Sequence, residues 1–214
     1  MKILLSGFEP FGDLHTNPTM EIIERAKKWE FTNTELETVI LPVVYGKCAD
    51  ELIERIKEFE PDIVICLGVA VGRANISFER IGINVQDIHN TGGRAVSGDN
   101  SGDKPVDRPI DENGPDGLFA TLPNRRLIDV VRKAEIPASI SNTAGTYICN
   151  DTLYRLLLFI ERKEARMIGG FIHVPASPNM VMEQPNLPSM SIETQEKAIY
   201  KVVETLTEME EARK

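Results

Sequence analysis

At 214 residues the chain suits one α/β domain, and shares of 42% hydrophobic and 27% charged residues exclude a disordered chain or a fibrous repeat. Acidic residues number 33 against 24 basic ones, a net charge of −9 that excludes nucleic acid and anionic membrane as main partners, because both demand concentrated positive charge. Cys48, Cys66 and Cys149 form neither a spaced framework nor a metal-type pair, and no apolar run nears the ~20 residues of a membrane span. Met1-Lys2 leads straight into a strand-like run, so no signal peptide is expected, and the chain reads as a soluble protein of a reducing compartment.

In chain order, Lys2 to Ser6 is a short apolar run closed by Gly7, and Glu37 to Val43 is rich in β-branched residues; both predict strands. Ala49, Leu52, Ile53, Ile56 and Phe59 share one face of a helix. Asp62 to Leu67, after Pro61, is the continuous apolar run of a strand buried on both sides. Ile76 to Val85 reads as one strand interrupted by Glu79 and Arg80. Leu127, Val130, Val131 and Ala134 predict a helix begun at Leu122-Pro123, and Ala138 to Ser141 a strand. Leu153, Leu156, Leu157 and Ile160 make a further helix, Met167 to Val174 a last strand, and Ala198 to Leu206 a C-terminal helix capped by Ser191. Strands alternating with helices predict βαβ units and a mostly parallel sheet covered on both faces, with residues 1–214 as one domain.

Two stretches break this rhythm. His89 to Gly117 is thick with Gly, Asp, Asn and Pro, and Pro175 to Pro188 holds four prolines. Loops of this length are more often lids or binding loops than filler, and disorder is the competing account of the first.

Cys149 leads the candidates for chemistry, because it follows a strand at the start of an amphipathic helix. There the helix dipole and unpaired N–H groups favour a thiolate, and its own backbone N–H is a ready oxyanion donor. The competing account is a small buried apolar residue, which is the better account of Cys48 and Cys66. His173 ends a strand, where a general base for such a thiol must stand; taken alone, it reads better as a core histidine bonded to a carbonyl. Glu79 is a carboxylate within a strand, either the third member of a triad or, on pattern alone, the ion-pair partner of Arg80 on an edge. The turn from Gly68 to Arg73 lacks the Lys-Ser/Thr ending of a phosphate loop and reads as a tight turn beside a pocket. The triplets Asn75-Ile76-Ser77 and Asn150-Asp151-Thr152 match the glycosylation pattern by accident.

Longer motifs join these pieces. They run from Gly7-Phe8-Glu9-Pro10-Phe11-Gly12, with Asn17-Pro18, through Leu41-Pro42-Val43 to Gly68-x3-Gly72-Arg73-x2-Ile76-Ser77-x-Glu79-Arg80-x3-Asn84. Ser141-x2-Ala144-Gly145-Thr146-Tyr147-x-Cys149-Asn150, Gly170-Phe171-Ile172-His173-Val174-Pro175 and Pro188-Ser189-Met190-Ser191 follow. On these motifs the chain resembles the type I pyroglutamyl peptidases (pyrrolidone-carboxylate peptidases) from end to end. The resemblance implies a three-layer α/β/α sandwich with a mostly parallel mixed sheet, like that of nucleoside phosphorylases. It also implies a cytoplasmic homotetramer needing no metal or cofactor, and a cysteine exopeptidase that removes N-terminal pyroglutamate from peptides. By motif position the nucleophile falls on Cys149, the base on His173 and the acidic partner on Glu79. The pyroglutamyl pocket falls on Phe8 and Phe11, with Val43, Tyr147 and Ile148 nearby.

Two departures stand out. Val69 occupies the place where some members carry a glutamine that holds the lactam. After the glutamate strand, Asp87-Ile88-His89-Asn90 and a Gly-rich insertion replace the usual Ala-Arg-Ile-Pro-Asp-Asn, so His89 or Arg94 would substitute for an arginine that assists the oxyanion. Two other classes share the architecture. A nucleoside phosphorylase-like enzyme would need a basic phosphate site, for which only Arg73 is offered, and a non-catalytic binding relative would have no use for all three of Glu79, Cys149 and His173.

Overall fold

The computed structural model describes residues 1–12, 14–88, 98–163 and 166–211. Six strands form one mixed sheet in the order β2-β1-β3-β8-β4-β7, where β1 is Lys2–Phe8, β2 Glu35–Leu41, β3 Ile63–Val69, β4 Ile76–Glu79, β7 Ala138–Ser141 and β8 Ile168–Val174. The pairs β1–β2, β1–β3 and β3–β8 are parallel, whereas β4 runs antiparallel to β8 and parallel to β7. The expected three layers and mostly parallel mixed sheet are present.

The period-two alternation of the strands decides which face each side chain covers. Ile3, Leu5, Ile63, Ile65 and Leu67 pack with α1 (Pro18–Ala26), α3 (Asn124–Lys133) and α5 (Ile192–Glu211). Leu4, Val64, Cys66 and Phe171 pack on the other side with α2 (Lys47–Phe59) and α4 (Ile148–Arg162). β3 is buried on both faces because it lies in mid-sheet, as its continuous apolar run requires. The Ser191 side chain accepts from the Thr194 N–H at 3.2 Å and so caps α5 as expected.

Helix α1 is an element that the apolar periodicity did not bring out. Its signal lies in its cap: Asn17 Oδ1 accepts from the Thr19 N–H at 3.0 Å and Pro18 opens the first turn. Only nine residues long, it buries Ile22, Ile23 and Ala26.

The strand expected over 76–85 is two strands. β4 ends at Glu79; the chain leaves the main sheet at Arg80, and β5 (Ile81–Ile83) pairs antiparallel with β6 (Gly117–Phe119). Gly82 allows β5 to lie against α4, since a Cβ there would stand 2.9 Å from the Tyr154 backbone nitrogen. Glu79 is therefore inside the sheet, between β8 and β7, and not on an edge.

The described part of the first long loop, 98–117, is held by polar side chains on backbone. Asp99 accepts from the N–H groups of Tyr45, Ser101 and Asp103, and Asn84 Oδ1 from those of Ile110 and Asp111. The proline-rich stretch contains a 3₁₀ turn, Pro178–Val181, and Gln195 of α5 donates to the Pro175 and Met190 carbonyls. Among the described residues no helix is long and apolar enough to cross a membrane.

Asn17 also donates to the Glu9 carbonyl at 3.0 Å and accepts from the Thr19 hydroxyl at 2.8 Å. Asn17→Ala is expected to lower unfolding stability by about 1–2 kcal/mol, the loss of a helix cap with the part-buried Glu9 carbonyl left without this donor. Urea titration checks this as a lower midpoint with an unchanged slope.

Candidate active site

The parallel pairing of β3 and β8 sets Gly68 opposite His173. α4 is packed over these strands, and its second residue is Cys149. A Cβ on Gly68 would lie 2.8 Å from Cys149 Sγ and 2.7 Å from the Phe171 ring. The thiol therefore rests directly on the strand position paired with the histidine, and only glycine leaves room for it.

The start of α4 is held in place by the two residues after the cysteine. Asn150, fully buried, donates to the Ile83 and Val85 carbonyls at 2.8 and 2.9 Å and accepts from the Ile83 N–H at 2.9 Å. Asp151, also buried, accepts from the Gly46 N–H at 3.1 Å and from Gln86 at 2.6 Å. The triplet dismissed as a chance glycosylation match is thus a structural lock on the helix. Among the described residues no side chain caps α4, so the N–H groups of its first turn keep donor capacity beside Cys149.

His173 is 4% exposed, and its Nδ1 lies 2.8 Å from Oε1 of the fully buried Glu79. Burial alone would raise the Glu79 carboxyl, but the hydrogen bond and charge of His173, with Ser141 and Arg73, hold it below its ordinary value of 4.5. An ionised carboxylate only accepts, so Nδ1 carries the proton and Nε2 is left as the basic nitrogen. The same Oε1 accepts from Arg73 Nη1 at 2.6 Å. The competing account, an edge-strand pair of Glu79 with Arg80, gives way to this one: the chain turns out of the sheet at Arg80, and the turn after β3 brings Arg73 back over the carboxylate.

Cys149 departs from expectation in its ionisation. Burial pushes its thiol up to about 12, the Glu79 charge adds to this, and Arg73 opposes it. The helix start does not overcome the desolvation of a sulfur packed on Gly68 and Phe171, so the resting group is a neutral thiol that needs a base. Cys48 and Cys66 are fully buried core residues, as expected, and burial raises both.

Phe8, Phe11, Val43, Val69, Tyr147 and Ile148 all line one cavity of about 290 Å³ that also receives Cys149 and His173. Glu79 lies behind His173, outside the lining. Phe11 and Tyr147 stand 6.4 Å apart between ring centres, Tyr45 supports Tyr147 edge-on at 5.5 Å, and the Tyr147 hydroxyl donates to the Gly98 carbonyl at 3.1 Å. The Gly68–Arg73 turn does border the pocket, as expected. Asn17, the cap of α1, lines it too, and sequence patterning had not placed it there. His89 and Arg94 lie outside the described residues. Arg73 gives its second nitrogen, Nη2, to the Thr143 carbonyl at 3.0 Å, so the one cation offered for a phosphate is already engaged by protein acceptors. Among the described residues no group of three or more His, Cys, Asp or Glu is arranged to hold a metal ion.

A neutral thiol beside an oriented imidazole, facing a small apolar hollow, is the equipment of thiol hydrolases, in which sulfur attacks a carbonyl as the imidazole takes its proton. Known proteins narrow this class. The family model for pyroglutamyl peptidase matches residues 1–209, and the chain belongs to that family. It is 41% identical over 203 residues to the pyrrolidone-carboxylate peptidase of Brevibacillus brevis, covering 95% of this chain and 91% of that one. The crystal structure of Bacillus amyloliquefaciens pyroglutamyl peptidase I superposes with a TM-score of 0.89 at 35% identity over 96% of each chain. That of the pyrrolidone carboxyl peptidase from Pyrococcus furiosus gives 0.90 at 36%, covering 98% of this chain and 99% of the other.

The depressed Glu79 pKa fixes a sign for acid stability. A carboxyl lowered on folding adds stability above its unfolded value, and that stability is lost as pH falls through the folded value. Glu79→Gln removes this dependence. Between neutral pH and pH values below 4.5 the variant is expected to lose less stability than the parent, as urea midpoints across that range will report.

Proposed function

We propose that this protein is a cysteine exopeptidase that releases an N-terminal pyroglutamyl residue from peptides, with Cys149 as nucleophile, His173 as general base and acid, and Glu79 as the carboxylate that orients the imidazole. The observation that carries the assignment is the 2.8 Å contact of His173 Nδ1 with buried Glu79, on the strand position facing Gly68 and the Cys149 thiol.

His173 Nε2 takes the Cys149 proton as sulfur bonds to the pyroglutamyl carbonyl carbon, and the carbonyl oxygen gains the negative charge. In this reading the Cys149 N–H at the start of α4 donates to that oxygen. As the tetrahedral species collapses, the C–N bond breaks and His173 gives its proton to the departing amine. A water, deprotonated by His173, then attacks the thioester carbonyl; the C–S bond breaks, the thiol takes back its proton, and pyroglutamate leaves.

The pocket explains the choice of end group. Pyroglutamate is a neutral lactam with no charged amine, and Phe8, Phe11, Val43, Val69, Tyr147 and Ile148 offer it an apolar wall. A free α-ammonium group would lose its hydration there without a partner, so ordinary N-termini are rejected. With Val69 at the glutamine position, the lactam takes its hydrogen bonds from backbone groups or from other residues of the cavity. Residues 1–214 act as one domain, in the cytoplasm, as a homotetramer; the family resemblance supports these three statements.

The test is release of a chromophore from a pyroglutamyl arylamide under reducing conditions, with a prolyl arylamide as control. Turnover of the first alone is expected. Cys149→Ala should lower it by about 10⁴-fold or more with the fold retained, while Cys66→Ala keeps it. Turnover that survives in folded Cys149→Ala would overturn the nucleophile, and no turnover by folded, reduced wild type would overturn the activity.

A further inference from the structure

Arg73 lies in the turn that carries the chain from the end of β3, across the end of β8, to β4. Two backbone bonds shape this turn: the Ala70 N–H donates to the Val174 carbonyl at 2.9 Å and the Arg73 N–H to the Ala70 carbonyl at 3.1 Å. Gly72, at φ +94°, takes a conformation that other residues resist and lets the next side chain fold back toward the sheet. Arg73 then does two things at once. Nη1 reaches Glu79 Oε1 at 2.6 Å, and Nη2 reaches the Thr143 carbonyl at 3.0 Å.

Oε1 therefore serves both the guanidinium and His173 Nδ1, while Oε2 is buried without a hydrogen-bond partner among the described residues. Ser141 stands opposite Glu79 in the β4–β7 register; its hydroxyl, 3.0 Å from the Thr143 carbonyl, also helps to hold the Glu79 carboxyl low. Arg73 and His173 both grip Oε1, and of the two it is Arg73 that also reaches the turn ahead of the nucleophile. The other arm of the guanidinium grips the turn leading to the nucleophile, where the Thr143 hydroxyl accepts from the Gly145 N–H at 3.0 Å, four residues before Cys149.

We propose that Arg73 is a positioning residue for hydrolysis: its guanidinium fixes Glu79 Oε1 on His173 and ties that pair to the 143–147 turn ahead of Cys149, so that it governs the chemical step and its pH dependence and not the binding of substrate. This rests on the roles assigned to Glu79, Cys149 and His173 above. The groups around the pair are Arg73 from the β3–β4 turn, Cys149 and Tyr147 at the start of α4, Cys66 from β3 and neutral Ser141 from β7. Arg73 is the permanent cation among them. Its charge favours the Cys149 thiolate, so losing it raises the proton affinity of the thiol. The alkaline limb of the pH profile then moves upward.

The experiment is the pH dependence of kcat and kcat/KM on a pyroglutamyl arylamide for wild type, Arg73→Met and Arg73→Lys. Arg73→Met is expected to lower kcat by about 10²-fold with KM little changed, and to move the alkaline limb, that of the thiol, upward. Arg73→Lys keeps the charge but not the two-armed fork; it should leave the limbs in place and lower kcat by about tenfold. Rates near wild type with unmoved limbs in Arg73→Met, or a rise in KM alone, would overturn the proposal. If Arg73→Met does not fold, Arg73→Lys decides: wild-type kcat overturns it and reduced kcat with unmoved limbs supports it. Inactive wild type would overturn the activity itself. Alkylation of Cys149 by iodoacetamide against pH, read by mass, then tests Arg73 separately: an upward-shifted midpoint in a folded variant lacking the cation upholds its effect on the pair, and an unshifted one overturns it.

Discussion

A carboxylate buried in the middle of a β-sheet is costly unless its charge is answered on the spot, and that constraint organises this protein. Glu79 ends a strand flanked on both sides and is wholly shielded from bulk solvent. His173 and Arg73 both converge on its Oε1. To bring them there, the chain must run β8 beside β4 in antiparallel register and fold the turn after β3 back over the end of β8. The same arrangement leaves Nε2 as the basic nitrogen of an imidazole that lines the cavity. What stabilises the charge is also what prepares the base.

The thiol side of the site is governed by close packing. Cys149 rests on a glycine, against Phe171, at the start of a helix held by buried Asn150 and Asp151. Desolvation of the half-buried sulfur pushes its thiol up to about 12 and keeps it protonated against the pull of the helix start. Reactivity then depends on the neighbouring base, which places Glu79, His173 and Cys149 in one proton-transfer chain within the proposed mechanism. The apolar wall of the cavity follows the same logic: a neutral lactam enters a dry site at small cost, and a charged amine does not.

Much of this was legible from one-dimensional pattern. The two apolar faces of the sheet, the helices α2, α3, α4 and α5, and the cap at Ser191 follow from periodicity and local capping chemistry. All six residues expected at the pocket line it. The short helix α1 escaped because its apolar stripe is brief and its clearest signal is an Asn-Pro pair. The break of the 76–85 strand at Arg80 escaped because β-rich composition continues through β5; only pairing with β6, more than thirty residues later in the chain, takes it out of the main sheet.

The sequence by itself determined the layers, the core faces and which residue types were available for acyl transfer, since these depend on side-chain spacing along single elements. The tertiary structure alone decided who meets whom. Glu79 takes Arg73, six positions before it, and not adjacent Arg80, because neighbours along a strand point to opposite sides while a turn folds a distant cation back. The opposite direction of β4 and β7, the role of Asn150 as a lock on α4, and the neutral resting state of Cys149 belong to the same category. Pairing across strands and loss of water are properties of surroundings assembled from separate parts of the chain, and no local pattern records them.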